Sequence, residues 1–210
     1  MHGAWRRAEL DKTVAAIRKV QSLETPLRSG MTALTQAIDF QDYDVVAALL
    51  RAEPELASRR LTSAHDPAVF NLPIHLAAQL AARRDVPEAL SILRLLNDHT
   101  MEFNSDADTD PSRDHLGMTP LHLAVTGPSS RATRWILEKR TGLVEVEDYL
   151  GRTALHCCAS EANLEAILSH GSVVMHTDRY GMSPLHRACL RGQLGLVRCL
   201  LKHSQPLDLK

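Results

Sequence analysis

The sequence predicts an all-α solenoid of stacked helix–turn–helix units, joined by finger loops that fold back like β-hairpins. Three observations predict it. The octapeptides starting at Gly117 (Gly-Met-Thr-Pro-Leu-His-Leu-Ala), Gly151 (Gly-Arg-Thr-Ala-Leu-His-Cys-Cys) and Gly181 (Gly-Met-Ser-Pro-Leu-His-Arg-Ala) repeat one pattern at steps of 34 and 30 residues. Each is followed by a second short apolar run of helical spacing. Hydrophobic residues make up 44% of the 210-residue chain but aromatic residues only 4%, which suits thin helices packed through Leu, Ala, Val and Ile. A helical pair of this length cannot bury its apolar face alone, so each unit must lean on the next.

The motif explains itself residue by residue. Thr119, Thr153 and Ser183 stand one residue before each helix start, where a hydroxyl can accept from an otherwise orphaned backbone N–H. Pro120 and Pro184 fit the first helical turn, because no N–H is needed there and the ring already holds a helical φ. Gly117, Gly151 and Gly181 supply the turn. Asp114, Asp148 and Asp178 lie three residues before those glycines, a spacing suited to a carboxylate that closes the turn on backbone amides. The pattern resembles the ankyrin repeat, with its Thr-Pro-Leu-His signature and period of about 33 residues.

Read in order, the units are as follows. Residues 1–29 form a degenerate capping pair, with helices over Trp5–Leu10 and Thr13–Val20. Residues 30–70 are the first repeat: Gly30-Met31-Thr32-Ala33-Leu34 starts it, Thr35 stands in place of the histidine, and Val45–Leu50 is its second helix. Residues 71–116 are the second repeat, with the signature around Pro73 and His75 and helical runs over Ala78–Arg84 and Ala89–Leu96. Residues 117–150, 151–180 and 181–210 are the third to fifth repeats. Positions 33, 73, 120, 154 and 184 are equivalent, so the spacings are 40, 47, 34 and 30. The two long spacings require insertions, placed at Arg59–Phe70, Ala82–Glu88 and Met101–Arg113. The short one clips the fourth repeat, and the expectation is that its second helix, Leu164–Leu168, loses the residues. Together these form a single domain.

Composition narrows the function. A net charge of −1 gives no field to hold nucleic acid or an anionic membrane, so neither is an expected partner. No run of about 18 apolar residues spans a bilayer. Cys157, Cys158, Cys189 and Cys199 fall on predicted helices and read as reduced thiols, which places the protein in the cytosol or nucleus. No cofactor is expected.

Several constellations resemble sites. The histidines His75, His122, His156 and His186 recur about one repeat apart, roughly 10 Å for packed helices, too far to share one metal. They read as structural, tying one turn to the next. Asp106, Asp108, Asp110 and Asp114 are spaced like the start of a calcium loop, but Pro111 replaces the required glycine and Gly117 the bidentate glutamate. His156, Cys157 and Cys158 fan out by about 100° each along a helix and do not face one another as a nucleophile and base would. The chain reads as no enzyme.

What remains is surface. The ankyrin resemblance implies a concave recognition face built from turn tips and the ends of first helices. Carried over, its residues are Arg113, His115, Leu116 and Met118, then Glu147, Tyr149, Leu150 and Arg152, then Thr177, Arg179, Tyr180, Met182, Leu190 and Arg191. Tyr149 and Tyr180 are expected at near-equivalent places, and Tyr180 and Leu150, just before their glycines, are alternatively packed on the neighbouring turn. The expected partner is another protein or another domain of the same chain. The last helix, Leu194–Leu201, has interior composition and no evident polar cap, so Leu196 and Leu200 are expected to offer a face to more chain, a partner or a second copy. The alternative reading is a regulatory or positioning segment of a larger enzyme, receptor or effector.

Overall fold

The computed structural model describes residues 32–62, 70–83, 86–100 and 113–204. The N-terminal capping pair, the calcium-like aspartates before Asp114 and the residues after Ser204 lie outside them. The chain divides into two compact groups, residues 1–80 with 86–115 and residues 81–85 with 116–210.

In the first group, Thr32 caps α1 (Ala33–Asp39) by accepting from the Thr35 N–H at 3.3 Å, and the Thr35 hydroxyl returns a bond to the Thr32 carbonyl at 2.8 Å. Threonine thus bonds the cap residue's carbonyl, where histidine in later units accepts from the cap residue's N–H. The helix ends at Phe40, and Gln41 reverses the chain at φ 59°, where the fifth unit uses Gly192 at φ 66°. Asp42 accepts from the Val45 N–H and starts α2 (Tyr43–Ala52), whose Val46, Leu49 and Leu50 are buried. A 3-10 turn over Pro54–Ala57 follows. The first insertion is closed by a two-residue antiparallel ladder, β1 (Leu61–Thr62) on β2 (Phe70–Asn71), with Leu61 opposite Asn71.

Two longer helices complete this stretch, α3 (Pro73–Arg83) and α4 (Pro87–Thr100). The sequence places a loop insertion at Ala82–Glu88. The helical run expected over Ala78–Arg84 reaches Arg83, Pro87 opens α4 within the expected insertion, and residues 84 and 85 lie outside the described residues. Ile92, Leu93 and Leu96 of α4 are buried, and α4 packs on α2.

The second group holds three helical pairs: α5 (Pro120–Ala124) with α6 (Arg131–Lys139), α7 (Ala154–Cys157) with α8 (Glu161–Leu168), and α9 (Pro184–Leu190) with α10 (Leu194–Ser204). A 3-10 turn over Thr141–Glu145 follows α6. First helices pack on first helices and second on second, α5 on α7 on α9 and α6 on α8 on α10. Leu121, Leu137, Leu155, Leu164, Ile167 and Leu200 are buried in this core, each worth roughly 2 kcal/mol of transfer free energy.

The deletion in the fourth unit falls on the first helix rather than the second. α7 has four residues while α8 keeps eight. Ser160 explains this: its hydroxyl accepts from the Asn163 N–H and starts α8, so the chain must leave α7 by Cys158.

Candidate protein-interaction surface

The fingers of the second group are built by one set of bonds. Gly117, Gly151 and Gly181 adopt φ of 76°, 73° and 73°, the left-handed region where a side chain is strained. Asp148 Oδ1 accepts from the N–H groups of Leu150 and Arg152, both at 2.9 Å, and Oδ2 accepts from Arg152 Nε at 2.6 Å. Asp178 repeats this on the amides of Tyr180 and Met182, at 2.9 and 3.0 Å, and Arg187 replaces Arg152 as the guanidinium partner. Both carboxylates are fully enclosed. Burial pushes the Asp178 pKa up, but the Arg187 guanidinium and the two amides outweigh it and hold the group below the ordinary aspartate value.

Successive fingers are stitched together by backbone. The Tyr149 N–H donates to the Leu116 carbonyl at 3.0 Å, and the Arg179 N–H to the Leu150 carbonyl at 2.9 Å. The histidines run a second seam. Thr119 N–H donates to His122 Nδ1 at 3.1 Å, closing a capping box at the helix start, which leaves the ring proton on Nε2. Nε2 then donates to the Arg152 carbonyl of the next finger at 2.8 Å. His156 does the same between Thr153 and the Met182 carbonyl, at 3.1 Å each. Burial sets the His156 pKa below the ordinary histidine value despite that carbonyl, and the His176 ring at 5.8 Å adds to the shift. These bonds are the tie between turns expected of the repeated histidines.

The fingers sort the sequence-selected residues. Tyr149, directly after its aspartate, is equivalent to Arg179 and not to Tyr180. Its ring lies over Gly117, where an added Cβ would stand 2.7 Å from it. Arg179 likewise covers Gly151, its Cγ 3.2 Å from an added Cβ. The residues just before the glycines point outward: Leu116 is 46% exposed, Leu150 37% and Tyr180 73%. So Tyr149 and Arg179 lay their side chains over the neighbouring glycine while staying exposed, Tyr149 at 55%, and Leu150 meets the next turn through its carbonyl. Leu190 and Arg191 at the end of α9 are exposed, as are Glu147, Thr177 and Arg179. Met182 is half-buried and Met118 is buried, which removes Met118 from the accessible surface. Arg113 and His115, in the first group, are half-buried. Arg152 is occupied by Asp148 and is only 16% exposed along its side chain.

The cysteines are free thiols. Burial raises the thiol pKa of Cys157 and of Cys158 above the ordinary cysteine value, and both nitrogens of the His156 ring are engaged elsewhere. That geometry does not activate a nucleophile. In the first group a groove of about 720 Å³ lies between the α1–α2 turn and α4, lined by Phe40, Tyr43, Asp44, Glu88, Arg94 and Asp98 among others. None of the residues selected from sequence borders it.

Comparison with known proteins agrees with this architecture. The family model described as ankyrin repeats (3 copies) matches residues 74–172 and 142–210. Over 206 residues, the chain is 25% identical to the B-cell lymphoma 3 protein homolog of Mus musculus, covering 97% of this chain and 44% of that protein. It is 28% identical over 138 residues to the transient receptor potential cation channel subfamily A member 1 of Homo sapiens, covering 64% of this chain and 11% of the channel. Rabankyrin-5 of Mus musculus is 33% identical over 94 residues, 42% of this chain and 8% of that protein. The chain spans less than half the length of each of these relatives. Finger, capping histidine and family match coincide, and the chain belongs to the ankyrin-repeat family.

Proposed function

We propose that this chain is a non-catalytic protein-binding module that recognises its partner through the finger loops and the exposed ends of the first helices. Ankyrin repeats are in general protein-interaction modules. One observation carries the reading to particular residues. Buried bonds consume the polar groups that build the fingers, while Arg179 and Tyr180 on the last finger and Leu190 and Arg191 at the end of α9 face solvent. Tyrosine and arginine are the residue types that anchor protein interfaces, and a rigid backbone beneath them lowers the entropic cost of binding. The free thiols support a reducing compartment, cytosol or nucleus.

The test is affinity capture from native extract with the intact chain. Tyr180→Ala and Leu190→Ala are each expected to reduce the captured protein at least about tenfold, while circular dichroism stays unchanged. Arg152→Ala, by contrast, is expected to loosen the finger. Equal capture by wild type, Tyr180→Ala and Leu190→Ala removes this face from the function.

A second reading rests on a different observation. The seams between fingers stop at the fifth unit: His186 Nδ1 accepts from the Ser183 N–H at 3.1 Å, but its Nε2 has no acceptor, and the Tyr180 carbonyl no donor, among the described residues. Gly181 has open space where Gly117 and Gly151 are covered. This favours a C-terminal face that receives a neighbour, either a second copy or another part of a larger protein that the chain helps to position.

A further inference from the structure

The charge on the finger face is one-sided, and the turns make it so. Along the fingers and first helices of the second group, the basic residues are Arg152, Arg179, Arg187 and Arg191 and the acidic ones Glu147, Asp148 and Asp178. Asp148 and Asp178 are spent inside the turns, each giving Oδ1 to two backbone amides and Oδ2 to a guanidinium, and neither carboxylate is exposed at all. Their arginines are held through Nε and Nη2 and keep 16% and 20% of their side-chain surface in solvent. Glu147, the remaining carboxylate, lies 3.1 Å from His176 Nε2 and keeps half of its side chain in solvent, so the two unpaired arginines outnumber it.

Two arginines have no carboxylate partner among the described residues. Arg179 lies across Gly151, and Arg191 reaches the His156 carbonyl through Nη1 at 3.4 Å. Both reach onto the fourth unit, Arg179 at Gly151 and Arg191 at His156, on the finger and first helix of the same repeat. Each is next in sequence to an apolar residue with most of its surface in water, Tyr180 at 73% and Leu190 at 77%. Two exposed arginines without carboxylate partners, each next to an exposed apolar side chain, complement a segment of opposite charge that also carries apolar residues. A net charge of −1 for the whole chain conceals this local excess.

We infer that the last finger and the end of α9 bind an acidic segment of another protein, its carboxylates on Arg179 and Arg191 and its apolar side chains on Tyr180 and Leu190. The inference rests on the proposed binding role of this face and adds the chemistry of the partner. Guanidinium and carboxylate pair through parallel hydrogen bonds, so Asp and Glu are favoured over a diffuse negative surface.

Selection of random displayed peptides on the immobilised intact chain tests it. The enriched pool is expected to be rich in Asp and Glu with interspersed Tyr, Phe or Leu. A synthetic peptide from that pool should bind about tenfold more weakly to Arg179→Gln and to Arg191→Gln, and more weakly still to the Glu variants. Thermal unfolding of each variant separates lost binding from lost fold. Binding should also fall as salt rises. A neutral or basic pool that is still lost with Tyr180→Ala and Leu190→Ala overturns the acidic partner and leaves the face intact. No enrichment, or a pool indifferent to all four positions, overturns both.

Discussion

Gly117 excludes a side chain for two separable reasons. Its φ of 76° strains any L-residue, and the Tyr149 ring occupies the space a Cβ would need. Gly181 shares the first reason at φ 73° but has nothing within 4 Å. Gly181→Ala is therefore expected to cost about 1 kcal/mol, the left-handed penalty alone. Gly117→Ala should cost about 2–3 kcal/mol, because overlap with the ring is added. Urea unfolding measures both, and Tyr149→Ala in the Gly117→Ala background should recover the excess. Equal costs at the two glycines would mean that Tyr149 does not press on the turn. The sequence announces the glycines, since three recur in one register with an aspartate before each. It does not announce Tyr149. Which finger residue lies over the neighbouring glycine depends on the bond from its N–H to the Leu116 carbonyl, a tertiary contact 33 residues away in the chain that local turn preferences do not encode.

Elements are joined by one buried amide. Asn163, on α8, is fully buried; its Nδ2 donates to the Gly127 carbonyl at 2.7 Å, and its Oδ1 accepts from the Thr133 hydroxyl of α6 at 2.6 Å. Asn163→Ala strands that carbonyl and that hydroxyl away from water, which is expected to cost about 2–4 kcal/mol. Thr133→Val leaves only the amide oxygen unpaired and should cost less. The double variant should cost less than the two singles combined, as denaturant titration can measure. Strict additivity would break the claimed network. Helix starts were legible because proline, serine, threonine and glycine mark them by local chemistry. Lengths were less so. The run to Arg83 was legible because alanine-rich sequence favours helix where no breaker intervenes, whereas α7 is short because Ser160 recruits the chain into the next helix. In the sequence both Ser160 and Asn163 read as ordinary polar positions.

At the scale of the molecule, stability in a repeat array comes largely from interfaces between neighbours, so a unit with one neighbour is the weakest. The fifth unit is in that position among the described residues. Its inward side is satisfied: Leu196 and Leu200 are 4% and 2% exposed, so they belong to the existing core and not to the receiving face expected from sequence. The apolar residues turned to water are Leu190, Leu194 and Leu201, at 77%, 68% and 48%. Helical spacing alone could not separate these sets, because apolar residues ring most of α10 and only the position of α8 decides which side is inside. If a second copy covers this end, mass measured by light scattering on a sizing column should rise with concentration. Leu194→Lys with Leu201→Lys should return it to a monomer with its helical content intact. Leu196→Lys should instead unfold the unit, since it buries a charge without a partner. A monomeric mass at every concentration, unchanged by the lysine pair, would exclude self-association here and leave the open bonds of His186 and Tyr180 to a different neighbour.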